Sequence, residues 1–266
     1  MGGFLIILPR ILVSGRRVAE VLNAEILISD GGISEIDDNP TLEFRNVSYM
    51  YPGSEKETLN NINFVLKPNR ITAIIGGTGS GKSTILNLIP RLQDPTSGEI
   101  LINGINIRDY ELSVLRDKIS FTPQKAILFQ GTVKSNMLIG NVDASDDEIE
   151  NALNMAQVDF IDSIYDDVLS EASNFSGGQK QRLSIARAIV GKRSFYLFDD
   201  CFSDLDMNTE AVVKNNLSEL SSSSSISIVS QRISTIKDAD EIIVLDDGEI
   251  IGRGTHDELN TSCDIS

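Results

Sequence analysis

Nine residues, Gly76 to Thr84 (GGTGSGKST), constrain this chain more than any other stretch. They lie between a continuous apolar segment, Ile71 to Ile75, and a helical pattern over Lys82 to Leu92. The run satisfies G-x-x-x-x-G-K-[ST], in the setting its mechanism needs, with a buried strand entering and a helix leaving. Gly76, Gly77, Gly79 and Gly81 allow backbone N–H groups to turn inward on phosphate oxygens without Cβ clashes, and the helix start adds its dipole. Lys82 then neutralises phosphate charge and the Ser83 hydroxyl ligates Mg²⁺. Thr78, Ser80 and Thr84 complete the nucleotide-binding run. The dinucleotide pattern G-x-G-x-x-G is absent from it.

The rest of the chain supplies layers for such a loop. TLEFRNVSYMYPG alternates Leu42, Phe44, Val47 and Tyr49 before a Pro-Gly turn, and a second strand, Ile62 to Leu66, ends at Pro68-Asn69. Further strands are predicted at Phe195 to Phe198, Ile226 to Val229 and Glu241 to Leu245, with a helix near Thr209 to Leu220. Helices alternating with buried strands predict an α/β fold with a mostly parallel sheet. The serine run Ser221 to Ser225 is expected to be a mobile surface connection. Residues 10 to 25 place Ile11, Val18, Val21 and Leu22 at helical spacing, with Arg10, Arg16 and Arg17 between them, and predict an amphipathic helix. The Gly/Asp/Asn-rich stretch Asp30 to Pro40 is expected to be a linker.

Charge narrows the function classes. The 23 basic and 39 acidic residues leave a net −16, which argues against wrapping a nucleic-acid backbone. Ten acids and no Lys or Arg fall between Asn141 and Glu171, whereas residues 172 to 198 carry Lys180, Arg182, Arg187, Lys192 and Arg193 and no acid. Ile149, Leu153, Ala156, Phe160 and Ile164 recur every three or four residues, predicting a helical layer with a solvated acidic face. The longest apolar run, Phe4 to Leu8, stops at Pro9, far short of the roughly 20 residues that cross a bilayer. Two cysteines, Cys201 and Cys263, with no secretory signal, point to a reducing compartment without a disulfide framework.

Two further motifs complete the pattern. FYLFDD carries an apolar strand into Asp199 and Asp200, placing a carboxylate where a nucleotide-bound metal needs one; Asp199 is assigned to Mg²⁺ through water. NFSGGQKQR, Asn174 to Arg182, sets Ser176 as N-cap before Gly177, Gly178 and Gln179, a second helix start ready for phosphate. Together these motifs resemble an ATP-binding-cassette (ABC) ATPase domain, with Walker A at Gly76 to Thr84 and the signature at Ser176 to Gln179. The resemblance covers residues 41 to 262 and implies a P-loop NTPase core, an N-terminal antiparallel β subdomain and a helical subdomain at about 125–175. It implies a head-to-tail pair of such domains, with ATP between the Walker A loop of one and the signature of the other. It also implies an adenine-stacking aromatic at Tyr51, with Tyr49 expected on the other strand face, and a Q-loop at Gln124 that contacts metal. SDLD, Ser203 to Asp206, matches the D-loop, with Asp204 where the pattern has a small residue. FQGTVKSN, Phe129 to Asn136, resembles the exporter branch.

Two departures bear on mechanism. The family's glutamate that activates the attacking water is replaced by Asp200, whose carboxylate is one methylene shorter. That withdraws it by about 1.5 Å, and a misplacement on that scale can cost on the order of 100-fold in rate. VSQRISTIKDAD carries Gln231 at the family's switch-histidine position, and an amide offers hydrogen bonds without a titratable cation. The lone histidine, His256, is expected to be structural. Phe175 stands where leucine is usual, and the segment before it, Ser170 to Ser173, lacks the glycine that exporters tend to have.

The altered positions strike one composite site while the signature serving the other is intact, so the chain resembles the degenerate subunit of a heterodimeric multidrug exporter. The expected partners are a second ABC ATPase domain on a different chain and the transmembrane domain of an exporter, at the cytoplasmic face of the membrane, with ATP and Mg²⁺ as cofactors and no nucleic acid. Residues 1–40 then read as the end of a transmembrane helix and a linker, and equally as a short amphipathic helix packed on the domain, with Met1 as a truncation point or internal start. The competing classes are a nucleotide-binding regulatory subunit without useful hydrolysis and a soluble non-transport cassette.

Overall fold

Strands that are apolar on both faces need cover on both sides, and the layers follow from that demand. A computed structural model describes residues 2–24 and 28–263, and all that follows concerns those residues. The main sheet is centred on β3 (Ile71–Gly76), parallel to β10 (Ser225–Ser230) on one side and β11 (Glu241–Asp246) on the other. β9 (Phe195–Asp199) and then β6 (Ile119–Thr122) continue the parallel order beyond β10, and antiparallel β12 (Glu249–Gly254) closes the edge beyond β11. A second, antiparallel sheet joins β2 (Leu59–Leu66), β1 (Leu42–Tyr49), β4 (Ser97–Ile102) and β5 (Ile105–Asn106) in that order. This is the predicted α/β, P-loop architecture with an N-terminal β subdomain.

Two cores divide the molecule. Helix α2 (Lys82–Leu88) lies between the sheets, where Ile85, Leu86 and Leu88 pack with Phe44, Phe64, Leu197 and Leu245. The other face of the main sheet is covered by α5 (Asp146–Met155), α6 (Gly177–Ile189) and α7 (Met207–Leu220), which bury Leu153, Ile185 and Val213 against Phe198 and Ile228. Short elements link these layers: α3 (Leu112–Asp117), α4 (Val133–Met137), α8 (Ile233–Ile236) and α9 (His256–Cys263), with the small ribbon of β7 (Gly131–Thr132) and β8 (Asp167–Val168).

Several expectations are corrected. Helix α2 stops at Leu88, not Leu92, because Pro90 lacks the N–H needed to continue it and Arg91 turns to φ +50°. β1 changes phase between Phe44 and Val47 through a bulge with Asn46 at φ +50°, and β2 begins at Leu59. The acidic segment is helical only to Met155; Gln157 turns to φ +57°, and Phe160 and Ile164 lie on irregular chain folded onto the core. Its face is also engaged: Asp146 pairs with Lys134 and Glu148 with Lys192. The serine run is tied down, with Ser224 and Ser225 buried, Ser224 Oγ donating to the Arg193 carbonyl and Ser225 opening β10.

Residues 30–40 are likewise no free linker. The Gly31 and Gly32 N–H groups donate to the carbonyls of Tyr110 (3.2 Å) and Asp109 (2.9 Å), and Ile36 is buried. The first helix, α1 (Gly2–Leu22), begins earlier than predicted and runs through Pro9; Glu25, its expected end, and Met1 lie outside the described residues. Residues 11–24 are exposed throughout, so this stretch does not pack on the domain. No described helix is long and apolar enough to cross a membrane.

Candidate nucleotide site

The loop between β3 and α2 is clamped at both ends and open in the middle. A Cβ on Gly76 would stand 2.1 Å from the Leu245 carbonyl oxygen, and one on Gly81 would stand 2.6 Å from Leu59 Cδ2 with φ already at +101°. At Gly77 nothing lies within 4 Å of such an atom. The glycines therefore let the loop pack against β11 and β2 while its central backbone, Gly77 to Gly79, faces open space.

Lys82 is buried, with its ammonium donating to the carbonyls of Gly76 (2.8 Å) and Gly77 (2.6 Å). Burial lowers its pKa, against the pull of Asp200 and Asp199. Ser83, next along, is exposed and donates from Oγ to Asp199 Oδ1 at 3.0 Å. Asp199 ends β9 and is buried; burial raises its pKa, the Ser83 hydrogen bond lowers it, Asp200 raises it and Lys82 lowers it. A hydroxyl and a carboxylate beside a buried amine are hard oxygen donors and a cation, a set that fits Mg²⁺ and phosphate.

Asp200 leaves the strand with φ +46° and is partly buried. Burial raises its pKa, Lys82 and Arg232 oppose that, Asp204 adds to it, and a hydrogen bond from Gln124 Nε2 at 3.4 Å opposes it. The Gln124 backbone is itself held, its carbonyl accepting from Gln181 Nε2 of α6 at 2.6 Å. Lys82, Ser83, Asp199, Asp200 and Gln124 thus form one connected cluster. Gln231 is exposed just past β10, and no hydrogen bond joins it to that cluster.

Tyr51 sits beyond β1, its hydroxyl 3.1 Å from Thr84 Oγ1. Its ring meets that of Tyr49 edge-on at 4.9 Å, so the two are neighbours and not on opposite faces. The signature segment forms a second group. Ser176 caps α6 reciprocally with Gln179, its N–H donating to Gln179 Oε1 (2.8 Å) and its Oγ accepting from the Gln179 N–H (3.3 Å). Asp204 backs onto the glycines: a Cβ on Gly178 would stand 2.8 Å from its carbonyl oxygen. Phe175 meets Phe160 edge-on at 5.7 Å, and the Arg182 guanidinium covers Phe160 at 4.7 Å. Just upstream, Glu171 and Ala172 adopt φ +56° and +52°, the backbone a glycine would take without strain. No hydrogen bond joins Ser176–Gln179 to residues 76–84. His256 bonds Asn260 on α9, away from both groups.

Sequence reasoning missed Gln181 and Arg232. Gln181 lies five residues into the signature run and Arg232 directly follows Gln231, so adjacency to a motif was the available signal.

A family profile decides what this arrangement is: that of the ABC transporters matches residues 59–203, from β2 through the phosphate loop and signature to the D-loop. The chain belongs to the ABC transporter family. As an ABC transporter ATP-binding domain it is an ATPase. It is 42% identical to the ABC transporter ATP-binding protein YfiB of Bacillus subtilis across 96% of this chain and 45% of that protein. It is 39% identical to the ATP-dependent lipid A-core flippase of Haemophilus influenzae, across 90% of this chain and 42% of the flippase. A bacterial Atm1-family ABC exporter solved with ATP bound superposes with a TM-score of 0.88 at 30% identity, covering 96% of this chain and 46% of that chain. The chain therefore spans a little under half the length of the relatives it matches.

Proposed function

We propose that this ABC ATPase domain binds ATP with Mg²⁺ and uses its hydrolysis to drive export of a substrate across a membrane. It works at the cytoplasmic face, paired head to tail with a second ABC ATPase domain and attached to an exporter's transmembrane domain. The observation that carries this is the Ser83–Asp199 contact beside the buried Lys82 amine at the mouth of an open glycine loop. It is supported by exporters and a flippase among the relatives.

In this reading residues 41–262 are the ATPase domain, with the helical subdomain at about 125–175, and residues 1–40 are the end of a transmembrane helix and its connection. Gly76 to Thr84 hold the phosphates and Tyr51 stacks on adenine. Ser83, Gln124 and Asp199 hold Mg²⁺, which when bound neutralises charge on the phosphates. Asp200 and Gln231 attend the attacking water and γ-phosphate at a weakened own site, while Ser176, Gly177, Gly178 and Gln179 complete a partner chain's site.

Mixing tests this. Paired with an ABC ATPase domain that has Glu and His at the two altered positions, the chain should give hydrolysis above the sum of the two alone, and Ser176→Arg in this chain should remove the excess. ATP binding with no excess in any pairing favours the second reading, a regulatory subunit without useful hydrolysis, to which Asp200 and Gln231 also point.

A further inference from the structure

Arg232 joins three segments around the site. Its N–H donates to Ser230 Oγ at 3.0 Å, its Nη2 donates to the Ser203 carbonyl at 2.7 Å, and its Nη1 stands 3.6 Å from Glu210 Oε2. Glu210 is buried in the first turn of α7, and its other oxygen accepts from Thr235 Oγ1 of α8. The guanidinium is therefore braced from α7 and α8 while it grips the D-loop.

Ser203 in turn closes the turn that begins at Asp200. Its Oγ donates to the Asp200 carbonyl at 2.9 Å and its N–H reaches the same oxygen at 3.5 Å. Asp200 has φ +46°, a conformation that a non-glycine residue keeps where its surroundings hold it. Its N–H is held by the Val229 carbonyl at 3.0 Å, on the strand that leads to Arg232. From Val229 to Arg232 the chain thus holds both ends of the Asp200–Ser203 turn.

We propose that Arg232 is a positioning residue for ATP hydrolysis: by gripping the Ser203 carbonyl it keeps the Asp200–Ser203 turn closed and so fixes the Asp200 carboxylate. This rests on the reading of Asp200 as the group that attends the attacking water. A carboxylate already one methylene short is sensitive to its backbone, because displacements near 1 Å can cost about 100-fold in rate. None of the hydrogen bonds of Arg232 reaches residues 76–84, so ATP affinity is independent of it.

Single-turnover hydrolysis of radiolabelled ATP, alongside titration with a fluorescent ATP analogue, tests the role on the whole chain. Arg232→Met should slow hydrolysis about five- to twentyfold with the affinity within about twofold. Arg232→Lys, which keeps a cationic donor for the Ser203 carbonyl, should restore most of the rate. Ser203→Ala, a smaller change that leaves Arg232 and Glu210 in place, should slow hydrolysis less, and the double variant should be no slower than Arg232→Met, since both act through one turn. A rate within twofold of the parent in Arg232→Met, an equal loss of ATP affinity, no rescue by lysine, or losses that multiply would each overturn the proposal. Asp200→Asn separates the two readings. If it leaves hydrolysis unchanged, the role of Asp200 fails and that of Arg232 with it; if it abolishes hydrolysis while Arg232→Met has no effect, the role of Arg232 alone fails.

Discussion

On the proposed function, the phosphate-binding half of the site and the half that attends hydrolysis are built by different means. In residues 76–84 the work falls to backbone: glycines that admit no Cβ at the clamped ends, and a lysine whose ammonium already rests on two loop carbonyls. Around Asp200 and Gln231 it falls to single side-chain atoms, one on a left-handed residue and one on an exposed residue. A backbone cradle tolerates almost no substitution and is present whole. A reactive carboxylate can be shortened without disturbing the fold, and the proposed role of Asp200 is that of such a shortened group. Binding and turnover should therefore separate under mutation.

The largest break should come in the first half. Lys82→Ala removes the buried cation, and ATP affinity measured by calorimetry should fall on the order of 100-fold, given about 1.5–3 kcal/mol for each hydrogen bond to a charged group. Next in size, Asp200→Glu with Gln231→His should raise turnover about 10- to 100-fold in a phosphate-release assay while affinity stays put. Tyr51→Ala should weaken ATP binding about tenfold, as expected for loss of one base–aromatic stack, and Tyr51→Phe should weaken it less.

The smallest effect lies outside both halves. The Lys192 ammonium, then the Ser145 N–H and hydroxyl, hold the Glu148 carboxyl down to about 2, against an ordinary 4.5. A depressed carboxylate contributes stability that is complete above its ordinary value and lost as pH falls towards about 2. Glu148→Gln should therefore flatten the urea-melt stability profile between those pH values and leave ATP binding at neutral pH unchanged.

The phosphate loop was legible in the sequence because its conformation demands particular residues, and the strand into Asp199 because burial on both faces demands an unbroken apolar run. Ser225 reads as part of a surface run yet lies buried at the start of β10, since neighbouring strands and not side-chain polarity decide burial there. The acidic segment kept its helical spacing past Met155, but Gln157 in a left-handed turn ended the helix, and periodicity carries no mark of such a stop. Gly31 looked like part of a linker because tight packing against Asp109 and Tyr110 also selects glycine. In the site, Lys82, Ser83, Asp199 and Gln124 were named from motif and position, whereas the grip of Arg232 on Ser203 joins residues 29 apart and leaves no local pattern.

On the proposed function, this chain holds ATP firmly and hydrolyses it slowly at its own site. Measuring ATP affinity and turnover of the isolated chain, beside its Asp200→Asn and Asp200→Glu variants, tests that most directly. Tight binding in all three, slow turnover in the parent and faster turnover with glutamate are expected. Brisk turnover by the parent that Asp200→Asn abolishes would contradict it.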